Sequence, residues 1–413
     1  MSKRVVVTGL GAVTPIGNSA DEFWHALLNG KSGTGRATQV DPNLFSSKVS
    51  AEIKNFDPLK YLDPKTARKT DRFVHLCLAS GQMAMDDAKI DLSKADLERA
   101  GVVIGSGIGG LKTIEIQHTV MLEKGVDRVS PFMIPMMIVN IAAGHLAIRF
   151  GLKGPNTCVT TACASATHAI GDAFRIIQRD EADMMLTGGT EACITNLGFG
   201  GFDAMKALST LNDPPDKASR PFDAERSGFV MGEGSGILLI EEMEHAKKRG
   251  AKIYCEIVGY GLTSDANHIT APDMSGDGPA RCMTNAIKSA GLKPTDITYI
   301  NAHGTSTPLN DAVETLAIKK ALGDHSKKVM ISSTKSMTGH LLGAAGGIEA
   351  IVCAYAIKES KVPPTINYST PDPQCDLDYI PNKARELKIH AALSNSLGFG
   401  GHNASICFKA FKE

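Results

Sequence analysis

The feature that most constrains this chain is an alternation of short apolar runs ending at glycine or a small polar turn with longer amphipathic segments. RVVVTG, GVVIGSG, ADMMLTGG, KIYCEIVGYG, ITYINAHG and KVMISST are β-branched or aliphatic and strand-like. Interspersed with them, DEFWHALLNG, ASATHAIGDAFRIIQ, GPARCMTNAIKSAG and GGIEAIVCAYAIKE place apolar residues at helical spacing. That order predicts a layered α/β protein whose chain turns at the carboxyl ends of its strands, where such folds gather ligand-binding residues. With 413 residues, 43% of them hydrophobic, there is material for one large body or two fused ones with a buried core.

A fainter repeat lies over this pattern. A turn of small residues feeding an amphipathic helix occurs in CASATHAIGDAFRIIQ and again, about 180 residues later, in LLGAAGGIEAIVCAYAIK. The echo predicts two related halves, residues 1–250 and 251–413, fused into one body, because no Pro/Ser-rich linker interrupts Met243 to Gly250. Lys plus Arg and Asp plus Glu number 44 each, so no overall field attracts nucleic acid or an anionic membrane, and a charged partner needs a local patch. The nine cysteines are scattered, odd in number and without a CxxC pair. That argues against a disulfide framework or a zinc site and for a reducing cytoplasm. The opening MSKRVVVTGLGAVTPIG carries too short an apolar run for a secretory signal. The uncharged VSPFMIPMMIVNIAAGHLAI between Arg128 and Arg149 is as long as a membrane span, but Pro131, Pro135, Asn140 and His145 within it are costly in lipid. It reads instead as a buried loop leading into a helix.

Three glycine motifs invite a nucleotide: GLGAVTPIG at Gly9, GSGIGG at Gly105 and GEGSG at Gly232. The second satisfies GxGxxG. A dinucleotide fold also needs a helix opening within the motif and a following strand that ends in an acidic residue about 20 residues on. LKTIEIQHTVMLEKG follows instead, helical and without such a strand. Tight turns are the better reading of these glycines.

The polar residues that stand out fall in three places, each after an expected strand: TTACASATHA around Cys163, NAHGTSTPLND around His303, and STKSMTGHLLGAAGGIEA with Lys335, His340 and Glu349. Loops at strand ends carry chemistry more often than packing, so one thiol and two imidazoles converging there form a candidate site. Cys163 stands among alanine, serine and threonine, and small neighbours leave the sulfur open to approach. It reads as the start of a helix, with Thr160 or Thr161 just before it. Free N–H groups and partial positive charge at that end would lower the thiol's pKa and hold an oxyanion.

TACASATHAI, NAHGTSTPLND, KSMTGHLLGAAG and NSLGFGGHNAS closely resemble the β-ketoacyl-acyl-carrier-protein synthases of fatty-acid synthesis, and the likeness runs from VVVTGLGAVTPIG to GFGGHNAS. GSGIGG and HGTSTPLND look like the family's type II members rather than type I. The resemblance implies a thiolase fold, with duplicated α/β halves in a five-layered α-β-α-β-α arrangement. It also implies an acyltransferase that works as a homodimer and requires no cofactor or metal. By the same resemblance Cys163 takes an acyl chain from acyl carrier protein as a thioester. His303 and His340 then donate hydrogen bonds to the thioester carbonyl of malonyl-carrier protein as it loses carbon dioxide. The enolate attacks acyl-Cys163, with the oxyanion held by the backbone N–H groups of Cys163 and Phe399. Lys335 and Glu349 are implied as an ion pair that positions the histidines, and Thr305 and Thr307 as contacts for the phosphopantetheine arm. Ile108 is implied at the far end of the acyl tunnel. Phe202 and Phe399 flank the reactive end, Phe399 as a gate that the GFGG glycines allow to move.

Lys65, Arg68 and Lys69 in DPKTARKTDR, at spacing suited to one helix face, match the family's docking site for its acidic carrier protein, with Lys206 and Arg128 as extensions. Asp127 stands where relatives often carry another basic residue. Rival readings use the same residues. A cysteine hydrolase pairs Cys with a single oriented His, which two histidines in glycine loops fit poorly. Non-catalytic partners resembling polyketide chain-length factors lack the active cysteine. Thiolases use a second cysteine as base, where this chain has His402 and no cysteine before Cys407. Polyketide ketosynthases stay the nearest rival because their site is almost the same.

Overall fold

The computed structural model describes residues 2–412. Its main strands are β1 (Val5–Val13), β2 (Ala100–Gly105), β3 (Asn156–Val159), β4 (Met184–Glu191), β5 (Gly234–Glu242), β6 (Cys255–Ser264), β7 (Ile297–Asn301), β8 (Met330–Ser332), β9 (Ala391–Gly398) and β10 (His402–Lys409). The helices that matter to the site are α1 (Arg72–Ala88), α2 (Leu111–Lys124), α3 (Ser165–Gln178), α4 (Asp277–Ser289), α5 (Pro308–Leu322) and α6 (Ala345–Glu359).

The hydrogen-bonded order is β3-β2-β4-β5-β1 in one set and β8-β7-β9-β10-β6 in the other, the same order with every number raised by five. The pairing senses repeat too. β2 runs parallel to β3 and β4, β4 antiparallel to β5, and β5 antiparallel to β1. In the second set β7 runs parallel to β8 and β9, β9 antiparallel to β10, and β10 antiparallel to β6. The two sets join through a short antiparallel ladder of Val5–Val7 with Cys255–Ile257. The faint repeat in the sequence is therefore the trace of a duplicated unit, and its two copies of the small-residue motif open α3 and α6.

Those two helices form the middle layer. α3 packs on β2 and β4 and also on β9 and β10, while α6 packs on β4, β5 and β9. α1 covers the outer face of β1 and β5, and α4 covers β6 and β10 with α5 beside it over β7 and β8, which completes five layers. Because α6 is covered on both sides, Ala345 to Ile357 are all buried, and its sequence is apolar around the whole circumference. Burying a side chain such as Ile351 fully contributes roughly 1.5–3 kcal/mol. Glu349 is the exception within that run and needs a counter-charge.

Two features of the sequence fold differently from their expected roles. The glycines of GLGAVTPIG and GEGSG are not mainly turn residues. Gly9 and Gly11 lie inside β1, and a Cβ on either would stand 2.1 Å from Ala84 O or 1.9 Å from Ser80 O of α1. Gly236 in β5 meets the main chain of α6 at Ile348 in the same way. These glycines let helices lie directly on the sheet. The uncharged stretch after Arg128 does lead into a helix, Ile141–Phe150, but the segment before it is not buried by its own chain. Phe132 and Ile134 in that segment are exposed, at 39% and 59%, and so is Ile148 within the helix, at 77%. All nine cysteines are free thiols. Among the described residues no helix is long and apolar enough to cross a membrane.

Candidate active site

The duplication brings the candidate residues together. Cys163 follows β3 and leads into α3; His340 follows β8, the equivalent strand, and leads toward α6; His303 follows β7. All three strands deliver their carboxyl ends to one place.

Cys163 sits on a sharp turn rather than on the helix. Ala162 takes a left-handed φ of 51°, a conformation that costs a non-glycine residue roughly 1–2 kcal/mol, and Thr161 and Cys163 form an isolated bridge across it. The helix begins at Ser165 with Ala164 as an N-cap that has no side-chain bond, so neither Thr160 nor Thr161 caps it as expected. The turn satisfies its own donors, Ala164 N–H to Thr161 O and Ser165 N–H to Ala162 O. The Thr161 hydroxyl is instead bonded to His168 Nδ1 at 2.7 Å. The depressed thiol pKa expected at this position is also reversed. Burial pushes the Cys163 thiol up to about 12, against the pull of the Lys335 charge and the Phe399 N–H. The resting sulfur is protonated.

His303 is held by its main chain, because its N–H and that of Gly304 donate to the two carboxylate oxygens of Glu314 on α5, at 2.8 and 2.7 Å. Burial in turn lifts the Glu314 carboxyl to about 7. His340 is fixed by main-chain bonds to Val230 O and from Gly232 N–H, and its Nδ1 accepts from Leu342 N–H at 3.2 Å. That bond leaves the proton on Nε2. The two imidazoles lie edge to face with centroids 5.3 Å apart. Burial, and then the nearby Lys335 charge, holds both well below the ordinary histidine pKa, so both are neutral N–H donors.

A cavity of about 410 Å³ opens on this cluster, and Cys163, His303, His340, Phe202 and Phe399 lie in its wall. Thr305 and Thr307 also line it, with their hydroxyls 2.9 Å apart. The Phe202 and Phe399 rings stand 6.4 Å apart. Gly398 brings the Phe399 loop against the cysteine turn, where a Cβ would meet Thr161 O at 2.7 Å and Cys163 N at 3.3 Å. Lys335 does not reach the cavity. It is buried and ion-paired with Glu349, whose carboxyl burial pushes up and Lys335 draws back down. Ile108 is also off the open wall, packed against the apolar cluster that contains Cys163, Phe199 and Leu342. Lys65 and Arg68 are exposed on a single helical turn, Pro64–Arg68, and Lys69 lies one residue past it, its ammonium 4.2 Å from the Phe132 ring centroid. Lys206 is exposed at the cavity lip, and Arg128 and Asp127 are exposed on the surface.

Sequence reasoning passed over two buried carboxylates. Glu191, at the end of β4, accepts from the N–H groups of Gly107, Ile108, Gly109 and Gly343 and from the Ser106 hydroxyl. The GSGIGG loop thus wraps an anion, as a phosphate loop does, but the anion is the protein's own side chain. Glu314 does the same for the His303 loop. Glu191 closes its strand as a lone acid, the one signal that marks it; Glu314 lies within α5 three residues after Asp311 and carries no such mark. Among the described residues no group of three or more His, Cys, Asp or Glu is arranged to hold a metal ion.

Residues 2–246 match the model of the β-ketoacyl synthase N-terminal domain, and residues 254–369 that of the C-terminal domain. The chain is 55% identical to 3-oxoacyl-[acyl-carrier-protein] synthase 2 of Synechocystis sp. over 99% of both chains. It is 53% identical to the protein of the same name from Staphylococcus aureus, over 100% of this chain and 99% of that one. Among solved structures it is similar to a type II polyketide ketosynthase in complex with its acyl carrier protein, at 37% identity and a TM-score of 0.92 over the whole of both chains. A β-ketoacyl synthase from Burkholderia phymatum gives 35% and 0.92, over 99% of this chain and 100% of that one.

Proposed function

The chain belongs to the β-ketoacyl synthase family, and from that premise we propose how its residues divide the family's reaction. The enzyme is an acyltransferase of the thiolase fold. It joins an acyl chain delivered by acyl carrier protein to malonyl-acyl-carrier protein by decarboxylative Claisen condensation, giving 3-oxoacyl-acyl-carrier protein in fatty-acid elongation. Its identity to fatty-acid relatives, 50–55%, exceeds that to the polyketide ketosynthase, 37%.

The observation that carries the division of roles is the meeting of one thiol with two neutral imidazoles at the wall of one cavity. Cys163 sulfur attacks the acyl thioester; the carrier thiol leaves with the proton, and the acyl group is now held on Cys163. Malonyl-carrier protein follows, its arm against Thr305 and Thr307. As its carboxylate departs as carbon dioxide, the electron pair moves onto the thioester oxygen, where the His303 and His340 N–H groups stabilise it. The enolate carbon then bonds to the acyl carbonyl, the carbon–sulfur bond breaks, and Cys163 regains a proton. Neutral donors suit this step because they polarise the oxygen without being consumed. Lys335, buried against Glu349, acts through its charge rather than by contact: it reinforces the burial that keeps both rings unprotonated.

Residue 250 is taken as the boundary, so that the first half supplies the thiol and the second both imidazoles. Lys65, Arg68, Lys69 and Lys206 surround the approach of the acidic carrier. A second copy of the chain covers the exposed apolar surface at Phe132, Ile134 and Ile148, beside the edge strand β3, which makes the working form a homodimer. The free thiols accord with a cytoplasmic enzyme.

Mass spectrometry of single variants tests the division. Wild-type protein incubated with acyl carrier substrate gains one acyl mass on Cys163, and Cys163→Ala gains none. His303→Ala and His340→Ala still acylate but release little carbon dioxide from malonyl-carrier protein. An acyl mass on Cys163→Ala, or normal carbon dioxide release by either histidine variant, overturns the assignment.

A further inference from the structure

His168 is a buried imidazole that the reaction scheme leaves unused, yet it touches both walls of the site. It lies in the first turn of α3 at 6% exposure, with Nδ1 2.7 Å from the Thr161 hydroxyl. Its ring also meets the main chain of Asn403, at the start of β10 just beyond the Phe399 loop. Asn403 in turn ties that loop down, its amide donating to Asp265 at 2.7 Å and to Gly401 O at 3.3 Å. Thr161 is the joint between the two walls: its carbonyl accepts from Ala164 N–H in the cysteine turn and is the atom against which Gly398 presses. Burial draws the His168 pKa down to about 4. The ring is therefore neutral at working pH, and with its one N–H given from Nε2 to the Asn403 carbonyl, Nδ1 accepts from the threonine hydroxyl.

We propose that His168 is a positioning residue, whose imidazole fixes Thr161 and thereby keeps the main-chain N–H groups of Cys163 and Phe399 aimed at the same oxyanion. The turn it steadies is strained at Ala162; the Ser165 hydroxyl clasps its main chain, accepting from Thr161 N–H at 2.9 Å and donating to Ala162 O at 2.6 Å, while His168 engages the Thr161 hydroxyl. A displacement of about 1 Å in such a site lowers rates by about a hundredfold.

The inference rests on Cys163 being the nucleophile, so acyl mass on wild-type Cys163 is measured in parallel. Its absence refutes that assignment and this inference with it; its presence leaves the variants to decide. His168→Leu removes the acceptor at Nδ1. We expect kcat for condensation to fall about 10- to 100-fold, with KM for both carrier substrates within about twofold and the Tm little changed. His168→Asn, whose amide oxygen stands where Nδ1 was, recovers at least a third of the wild-type kcat. Thr161→Val alone reproduces the loss, and adding it to His168→Leu lowers kcat no further, because both break one bond. A His168→Leu enzyme within twofold of wild type, losses that multiply in the double variant, or a leucine effect that asparagine does not relieve overturns the proposal. Should His168→Leu fail to fold, Thr161→Val decides alone: normal kcat refutes it.

Discussion

Gly398→Ala is the most direct test of the contact between the cysteine turn and the Phe399 loop. Gly398 does not have a left-handed backbone, so alanine is acceptable to its own φ and only space opposes it. The added Cβ would meet Thr161 O at 2.7 Å, Ala164 N at 3.2 Å and Cys163 N at 3.3 Å. All three are main-chain atoms and none can rotate away. Relief to an ordinary contact of 3.4 Å requires the loop and the turn to separate by about 0.7 Å. The packing cost is about 1–3 kcal/mol, which the large core tolerates. The catalytic cost is greater, because the two proposed oxyanion donors sit on opposite sides of that gap, and losing one such donor typically lowers kcat about 100- to 1000-fold. Acyl transfer to Cys163 and overall condensation should both fall by about two orders of magnitude. Carbon dioxide release from malonyl-carrier protein, assigned to His303 and His340, should stay within a few fold. Stopped assays of the two half-reactions, with a melting curve to confirm folding, separate these outcomes. Condensation within threefold of wild type, or an equal loss in both half-reactions, would refute the reasoning.

The pKa directions predict different pH behaviour in the two halves of the reaction. His303 and His340 are displaced toward the neutral form, so decarboxylation should stay flat as pH falls from 8 through the ordinary histidine value of about 6.5; the Cys163 thiol is displaced toward the protonated form, so acylation should climb from pH 7 to 9. A decarboxylation midpoint near 6.5 in the pre-acylated enzyme would count against neutral histidines. Reversing charge at Arg68 and Lys69 should raise KM for carrier-bound substrates while sparing small thioester analogues; equal loss on both would indicate a folding defect. Ile108→Phe should preserve condensation of short acyl chains and block long ones, since overpacking the cluster behind Cys163 costs about 1–3 kcal/mol. A uniform fall across chain lengths, read from product profiles, would remove Ile108 from the acyl path.

The alternation of runs was a good guide to β-branched strands such as Val5–Val13 and Ala100–Gly105, though the first runs on past the glycine where its apolar run broke, and to the two central helices. It gave no signal for β9 and β10. AALSNSLG and HNASICFK look like loop sequence, yet they lie in the interior of the sheet beneath the packed helices, where small side chains are what the space admits. The same crowding misled the reading of the glycines, because a glycine that admits a helix to a sheet and one that makes a turn look alike in a sequence. The exposed segment after Arg128 failed for the opposite reason: its composition is that of a buried surface, while a single chain leaves it open.

At the site, the residue types were legible and their electrostatics were not. A thiol and two imidazoles in glycine loops can be picked out by chemistry alone, but what decides their protonation is burial and one ammonium. Lys335 is held inside the protein by Glu349, and its charge acts on all three groups, pulling the thiol down and both imidazoles down together. For the imidazoles that reinforces burial, so they become fixed neutral donors. For the thiol it opposes burial and only moderates it. In the proposed scheme one buried cation would serve both half-reactions with a single sign, which a carboxylate in its place would not: it would raise the histidines toward protonation and the thiol further out of reach. Glu191 and Glu314 follow the complementary rule. Each is held chiefly by main-chain N–H groups that draw its carboxyl down against burial, so the loops are fixed by hydrogen bonds to a buried carboxylate, while the Glu191 charge opposes Lys335 at the thiol and the Lys335 charge draws Glu314 down.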